Sequence, residues 1–127
     1  MFSKLFGRRP VIDTTPIEIE GSGDFSADIV GESHYQDNLH MICGGYSPNG
    51  HELYCSAELR HEPSNPVDSN AVAVYIRGRK VGFVPAYIAP EISAALNGRI
   101  AKIEAVIVGG WKRSDTDVGH FGVRLDF

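Results

Sequence analysis

Cysteine is scarce in this chain: Cys43 and Cys55 are the two among 127 residues, and they lack the paired spacing of a thiolate metal site. Both read as small buried residues of a reducing, cytoplasmic compartment, with a pairing in space left open. Long apolar runs are missing too, so nothing approaches a membrane span, and no segment resembles a signal peptide. The histidines form no H-E-x-x-H or other dense ligand pattern, since His34 and His40 are six apart and His51, His61 and His120 fall in separate segments. No metal is expected. Glu32 and His34 resemble an acid–base pair, yet alternate residues of a strand share a face without any catalytic need. A Walker phosphate loop is also absent, because Gly44-Gly45 and Gly109-Gly110 lack the lysine it requires. These absences favour a binding module without cofactor over an enzyme.

An excess of positive charge is the last thing lacking. The formal net charge is −4. Residues 1–62 hold four Lys/Arg against ten Asp/Glu, whereas residues 63–127 hold eight against six. Affinity for a nucleic-acid coat grows with the number of phosphates neutralised, so a wide nonspecific surface is excluded. A small local basic site is not.

The length suits one domain with a real core. Residues 1–24 read as an N-terminal arm or edge segment and residues 25–127 as the domain. The basic, partly apolar start Met1–Pro10 is open between a frayed terminus, a weak surface anchor and a docking arm. Phe25–Val30 alternates as a strand ended by Gly31. Ser33 is placed to cap a short turn over His34–Asn38, and Leu39–Cys43 is expected to return as a strand. Asn49-Gly50 signals a hairpin before a strand at Leu53–Leu59. Ala71–Ile76 pairs with Lys80–Val84 across Arg77-Gly78-Arg79. Pro90 opens one short helix with an Ile88, Ile92, Leu96 stripe, and Asn97-Gly98 closes it. Strands at Ile100–Val108 and Gly119–Phe127 complete the set. The fold class is mainly β: a small OB-like, partly closed barrel of six or seven strands with one short helix, closure serving to remove exposed edges.

The most informative stretch runs from Glu62 to Val74. Pro63 and Pro66 remove amide donors, while Asn65, Asp68 and Asn70 carry side chains that hydrogen-bond nearby backbone and brace a tight bend. From Ala71 the chain alternates, placing Ala71, Ala73 and Tyr75 on one face and Val72, Val74 and Ile76 on the other. A braced loop on a rigid strand is a good ligand holder, and equally a well-made corner.

Three segments, Val30–Gln36, Leu59–Val74 and Lys80–Pro85, resemble the HIRAN domain, and the likeness extends over roughly residues 25–125. The resemblance implies an OB-like barrel with a small helical element, found fused to SNF2-type helicases and as small standalone bacterial or phage proteins. It also implies a grip on the 3′-hydroxyl end of single-stranded DNA. On that likeness Val30, Gly31, Ser33 and His34 match a first pocket segment and Asn65, Val67 and Asp68 a second, with Arg79 and Lys80 at the border. Ser33 stands in place of an arginine, and His34 and Val67 in place of tyrosines that meet the terminal bases.

Two functions follow as expectations. In the first, Asp68 accepts a hydrogen bond from a terminal 3′-hydroxyl, Asn65 orients sugar or base, and His34 or Tyr35 offers a stacking surface. Arg60, Arg79, Lys80, Lys102, Lys112 and Arg113 are then candidate phosphate contacts. In the second, Asp68 and Asn70 only brace the loop, and the chain is a protein-interaction or homodimer module using the strand edge that ends at Phe127.

Overall fold

A computed structural model describes residues 14–127. In chain order its elements are β1 (Ile17–Ile19), β2 (Ala27–Asp28), a single 3-10 turn (Glu32–His34), α1 (Gln36–Cys43), β3 (His51–His61), β4 (Val72–Ile76), β5 (Arg79–Phe83), α2 (Ala89–Leu96), β6 (Ala101–Gly109), β7 (Lys112–Ser114), β8 (Asp117–Val118) and β9 (Phe121–Leu125). The readings of Met1–Pro10 lie outside the described residues.

β6 is the spine. One of its edges pairs with β3 from His51 to Leu59; the other is shared, with β1 running parallel to Ala101–Ile103 and β9 antiparallel to Ala105–Gly109. The sheet continues as β2-β9-β6-β3-β4-β5 and curls until its two ends meet. They meet at Val30 and Phe83, which exchange two backbone hydrogen bonds of 2.8 Å each. The result is the expected mainly β, partly closed barrel.

The seam depends on a glycine. A Cβ on Gly82 would sit 2.6 Å from the Val30 carbonyl oxygen and 2.8 Å from Ile29 Cδ1, closer than nonbonded atoms approach. Inside, alternation delivers the core: Val72, Val74, Ile76 and Val81 face Leu59, Ile103, Ile107 and Leu125, all fully or almost fully buried. Each such side chain contributes about 1.5–3 kcal/mol against leaving it exposed. α1 packs on β5 and β9, and α2 on β3 and β4.

Several local expectations need correction. Leu39–Cys43 is not a strand but the second half of α1, so the fold has two short helices. Tyr35, Leu39 and Cys43 recur at four-residue spacing, and fully buried Leu39 is the anchor. Gly44, at φ 74°, ends α1, its own N–H and that of Gly45 bonding back to the Met41 and His40 carbonyls. Ser33 does not cap this region by a side-chain hydrogen bond. Phe25 is not extended; it has φ 47°, and β2 begins two residues later. Cys43 and Cys55 are free and half-buried rather than buried. The terminal strand offers no open edge, because β9 lies between β2 and β6.

α2 forms as expected, ending at Asn97 with φ 47°. Its fully buried positions are Ala89, Ser93 and Leu96, while Ile88 and Ile92 are half-exposed. Small residues against the sheet let the helix approach closely. The ribbon β7–β8 forms its own two-stranded sheet and had no counterpart in the sequence reading.

The segment before β2 is held by one carboxylate. Buried Asp126 accepts N–H bonds from Gly23, at 2.9 and 3.1 Å, and from Phe25, at 3.3 Å.

Two stability outcomes follow. Gly82→Ala forces the seam apart and costs about 1–3 kcal/mol, the usual range for an overpacked site. Asp126→Ala strands the Gly23 and Phe25 amides and costs about 1–3 kcal/mol. Urea unfolding of each variant checks both, and an unchanged midpoint for Gly82→Ala contradicts the seam's role.

Candidate functional site

The loop between β3 and β4 is built from its own polar side chains. Backbone bonds Glu62 N–H to Ala71 O (2.8 Å), Asn65 N–H to Glu62 O (3.0 Å) and Ala71 N–H to Asp68 O (3.0 Å) set its frame. Within it, Asn65 Oδ1 accepts from the Val67 and Asp68 amides at 2.9 and 3.1 Å, and Asp68 Oδ1 accepts from the Asn70 amide at 2.9 Å. These are the side-chain-to-backbone bonds that Asn and Asp use to replace regular ladder bonds in turns. Outside the frame, Pro63 and Pro66 are exposed.

So braced, the loop leans over the barrel seam and leaves a hollow of about 280 Å³. Val30 and Phe83 of the seam line it, with Ala71 and Val84 behind them and Ala89 from the start of α2. Asn65, Val67 and Asp68 form the loop side. The walls are apolar apart from Asn65 and Asp68. Asn65 is spent as a brace, since its Nδ2 also donates to Glu62 Oε1 at 3.1 Å. Asp68 is not: among the described residues no hydrogen bond engages its second carboxylate oxygen. Val67 projects almost entirely into solvent, 93% exposed.

The two sequence segments are thus brought together, but unevenly. Val30, Asn65, Val67 and Asp68 share the hollow. Gly31, at φ 80°, turns the chain beside Phe83, and the Tyr35 ring lies 6.4 Å from the Phe83 ring, centre to centre. Ser33 and His34 are exposed on the 3-10 turn and do not line the hollow. The turn itself is locked: Glu32 Oε2 accepts the Val123 amide, and Gln36 donates to the Glu32 and Phe121 carbonyls while accepting the Phe121 amide. Burial pushes the Glu32 carboxyl above its ordinary value, against the pull of the Val123 bond.

The candidate cations divide into paired and unpaired. Lys80 Nζ sits 2.5 Å from Glu62 Oε2, 5.2 Å from the Phe83 ring centre and 5.9 Å from that of Tyr75. Burial pushes the Glu62 carboxyl up, but hydrogen bonds from Lys80 and Asn65 outweigh it and hold the group below the usual carboxylate value. The bond to Glu62 raises Lys80 in turn, despite desolvation. Arg60 grips Glu58 at 2.6 Å and lies 4.1 Å over Tyr75. Lys112 and Arg113 belong to the β7–β8 ribbon, where they pair with Asp115 and Asp117. Arg79 makes only a long 3.4 Å bond to Asn38, and Lys102 has no carboxylate within ion-pair distance among the described residues.

Two contributors escaped the sequence reading. Strict alternation in β5 puts Phe83 with Val81, opposite Lys80. A one-residue register shift opposite Val74/Tyr75 instead pairs Phe83 with Ala73 and Lys80 with Tyr75, which brings Phe83 and Lys80 to one face. Glu62 was quoted within the motif but given no role; its signal was a carboxylate placed three residues before Asn65.

Among solved structures the chain is similar to the HIRAN domain of human HLTF, at 18% identity over 78% of this chain and 71% of that one, with a TM-score of 0.39. It is also similar to a structural-genomics target protein from Lactobacillus plantarum, at 16% identity over 80% of this chain and 91% of that one, with a TM-score of 0.44. No curated protein sequence matches significantly. The family model described as HIRAN domain matches residues 22–118, well over half of the sequence, and the chain belongs to that family.

Proposed function

We propose that the chain is a nucleic-acid-binding module that seats the 3′-hydroxyl end of a single DNA strand in the hollow beneath the β3–β4 loop. One observation carries the reading: Val30, Asn65, Val67 and Asp68 come together in one hollow that is apolar apart from the Asn65 amide and the Asp68 carboxylate, whose second oxygen has no hydrogen bond among the described residues. Such a site suits an uncharged terminal nucleoside. Its sugar and base meet Val30, Ala71, Phe83 and Ala89, and its hydroxyl donates to Asp68.

The electrostatics point the same way. Among the described residues no Lys or Arg lines the hollow, so a terminal phosphate entering it meets the Asp68 charge without a cationic side chain there to offset it. Phosphates further along the strand run outside, toward Arg79 and Lys80. Ser33 and His34, exposed on the neighbouring 3-10 turn, border that path, with His34 the available ring. Phosphate contacts position a strand, while the hollow selects its end. The module carries no reaction of its own in this reading.

A second reading has one observation behind it. Ile88 at the cap of α2, Ile92 and Ala95 within it, and Phe127 form, with Glu91, a mostly apolar surface groove of about 410 Å³, a surface of the kind that engages protein.

Labelled single strands ending in 3′-hydroxyl or 3′-phosphate, compared at two salt concentrations, test the proposal. The hydroxyl end binds more tightly, and Asp68→Ala removes the difference, a loss of about 1.5–3 kcal/mol for a hydrogen bond to a charged acceptor. Equal binding of both ends rejects end recognition, and no binding at low salt transfers the assignment to the α2 groove. Val67→Tyr restores a stacking ring at the rim of the hollow and tightens hydroxyl-end binding by about 1–3 kcal/mol. Titration of that variant with the same strands checks it, and unchanged affinity places the terminal base elsewhere.

A further inference from the structure

Glu62 joins the two halves of the site. One carboxylate oxygen accepts from Asn65, the hub of the loop, and the other holds Lys80, whose ammonium lies beside the Phe83 ring that lines the hollow. Both partners of the ion pair are only a quarter exposed, so the pair is better shielded than the open pairs of the β7–β8 ribbon. Among the described residues Lys80 is thus a cation that lies against a ring lining the hollow, and it is already paired.

We infer that Glu62 is an internal competitor for phosphate: it holds Lys80 in reserve, and an incoming strand must exchange a phosphate for the Glu62 carboxylate to gain that contact. This rests on the nucleic-acid reading above and adds a specificity-determining residue to the same site. The exchange keeps the rim close to neutral without a strand, so polyanions that do not fill the hollow gain little from Lys80. A strand whose end is seated presents its next phosphate at short range, where it can displace Glu62. Binding of the end and release of the lysine are thereby coupled. Depressed proton affinity at Glu62 keeps the competitor charged throughout the neutral range.

Glu62→Gln isolates the effect. The amide oxygen of the new side chain still accepts from Asn65, so the loop frame survives, while the charge that holds Lys80 is gone. With a single-stranded DNA ending in 3′-hydroxyl as probe, the variant binds roughly threefold to tenfold more tightly at low salt, the worth of about one further cation–phosphate contact. Its log affinity falls more steeply with log salt, by about 0.7 for one added neutralised phosphate on a single strand.

Removing any carboxylate near DNA relieves some repulsion, so the deciding comparison is a cycle with Lys80→Ala. The gain from Glu62→Gln shrinks markedly in the Lys80→Ala background if Lys80 is the released cation. An equal gain in both backgrounds overturns the inference, as does weaker or unchanged binding by Glu62→Gln with an unchanged salt slope. Thermal midpoints within a few degrees of the parent protein establish that each variant is folded. If the parent protein prefers the hydroxyl end but the cycle shows no coupling, only the role of Glu62 fails. If the parent protein binds no strand, both readings fail together.

Discussion

The whole arrangement hangs on the two backbone hydrogen bonds between Val30 and Phe83. They turn a curled sheet into a barrel and fix the floor of the hollow in one act, because the same two residues line it. Gly82 is what lets the chains approach, with the Val30 carbonyl standing where a Cβ would have to go. The register shift in β5 is the other half of the device. It aims the Phe83 ring at the hollow and leaves Lys80 on the same face. A barrel seam is usually a solution to the problem of exposed strand edges. Here it also sets the geometry of the candidate site, whose floor is backbone that the close approach at Gly82 leaves little room to move.

Above that floor, rigidity comes from polar groups that serve the loop itself. Asn65 satisfies two amides and ties itself to Glu62, and Asp68 satisfies one more. Each bond contributes only about 0.5–1.5 kcal/mol net, yet together they hold a proline-rich stretch in a single shape without ladder bonds. Bracing and recognition are not rival roles for Asp68. A carboxylate has two oxygens, one fixed by Asn70 and the other left available, so the brace orients the acceptor. Asn65 differs, since its Oδ1 holds two amides and its Nδ2 ties to Glu62, so its recorded bonds all shape the loop.

Strand periodicity made most of the barrel legible. Val72, Val74 and Ile76 alternate cleanly and are fully buried, and β6 buries Ala101, Ile103, Ala105 and Ile107 while exposing Lys102 and Glu104. The loop braces were legible as well, because Asn and Asp in a proline-rich turn act locally. Where the sequence misled, the deciding physics was tertiary. In Gln36–Cys43 the apolar residues Leu39, Met41, Ile42 and Cys43 crowd into the second half and read as a strand; buried Leu39, its partner sheet and the Gly44 cap make the segment a helix. The bulge that moves Phe83 depends on how β4 and β5 pair, which strict alternation hides. His34, which the resemblance matches to the first pocket segment, is exposed on the 3-10 turn beside the hollow and does not line it.

Charge pairing lets an acidic chain carry cations near the hollow without presenting a general polyanion-binding surface. Arg60, Lys80, Lys112, Arg113 and Arg124 all stand beside carboxylates, so five of the nine lysines and arginines among the described residues are locally neutralised. Exposed pairs of this kind add little stability, about 0–1 kcal/mol each, and are easily exchanged. A surface made of them attracts nucleic acid weakly at long range and discriminates at short range, where a well-placed phosphate replaces a carboxylate. In the end-binding reading proposed above, affinity rests on the shape of the hollow rather than on accumulated charge, the arrangement expected of a module that recognises the end of a strand and ignores its length.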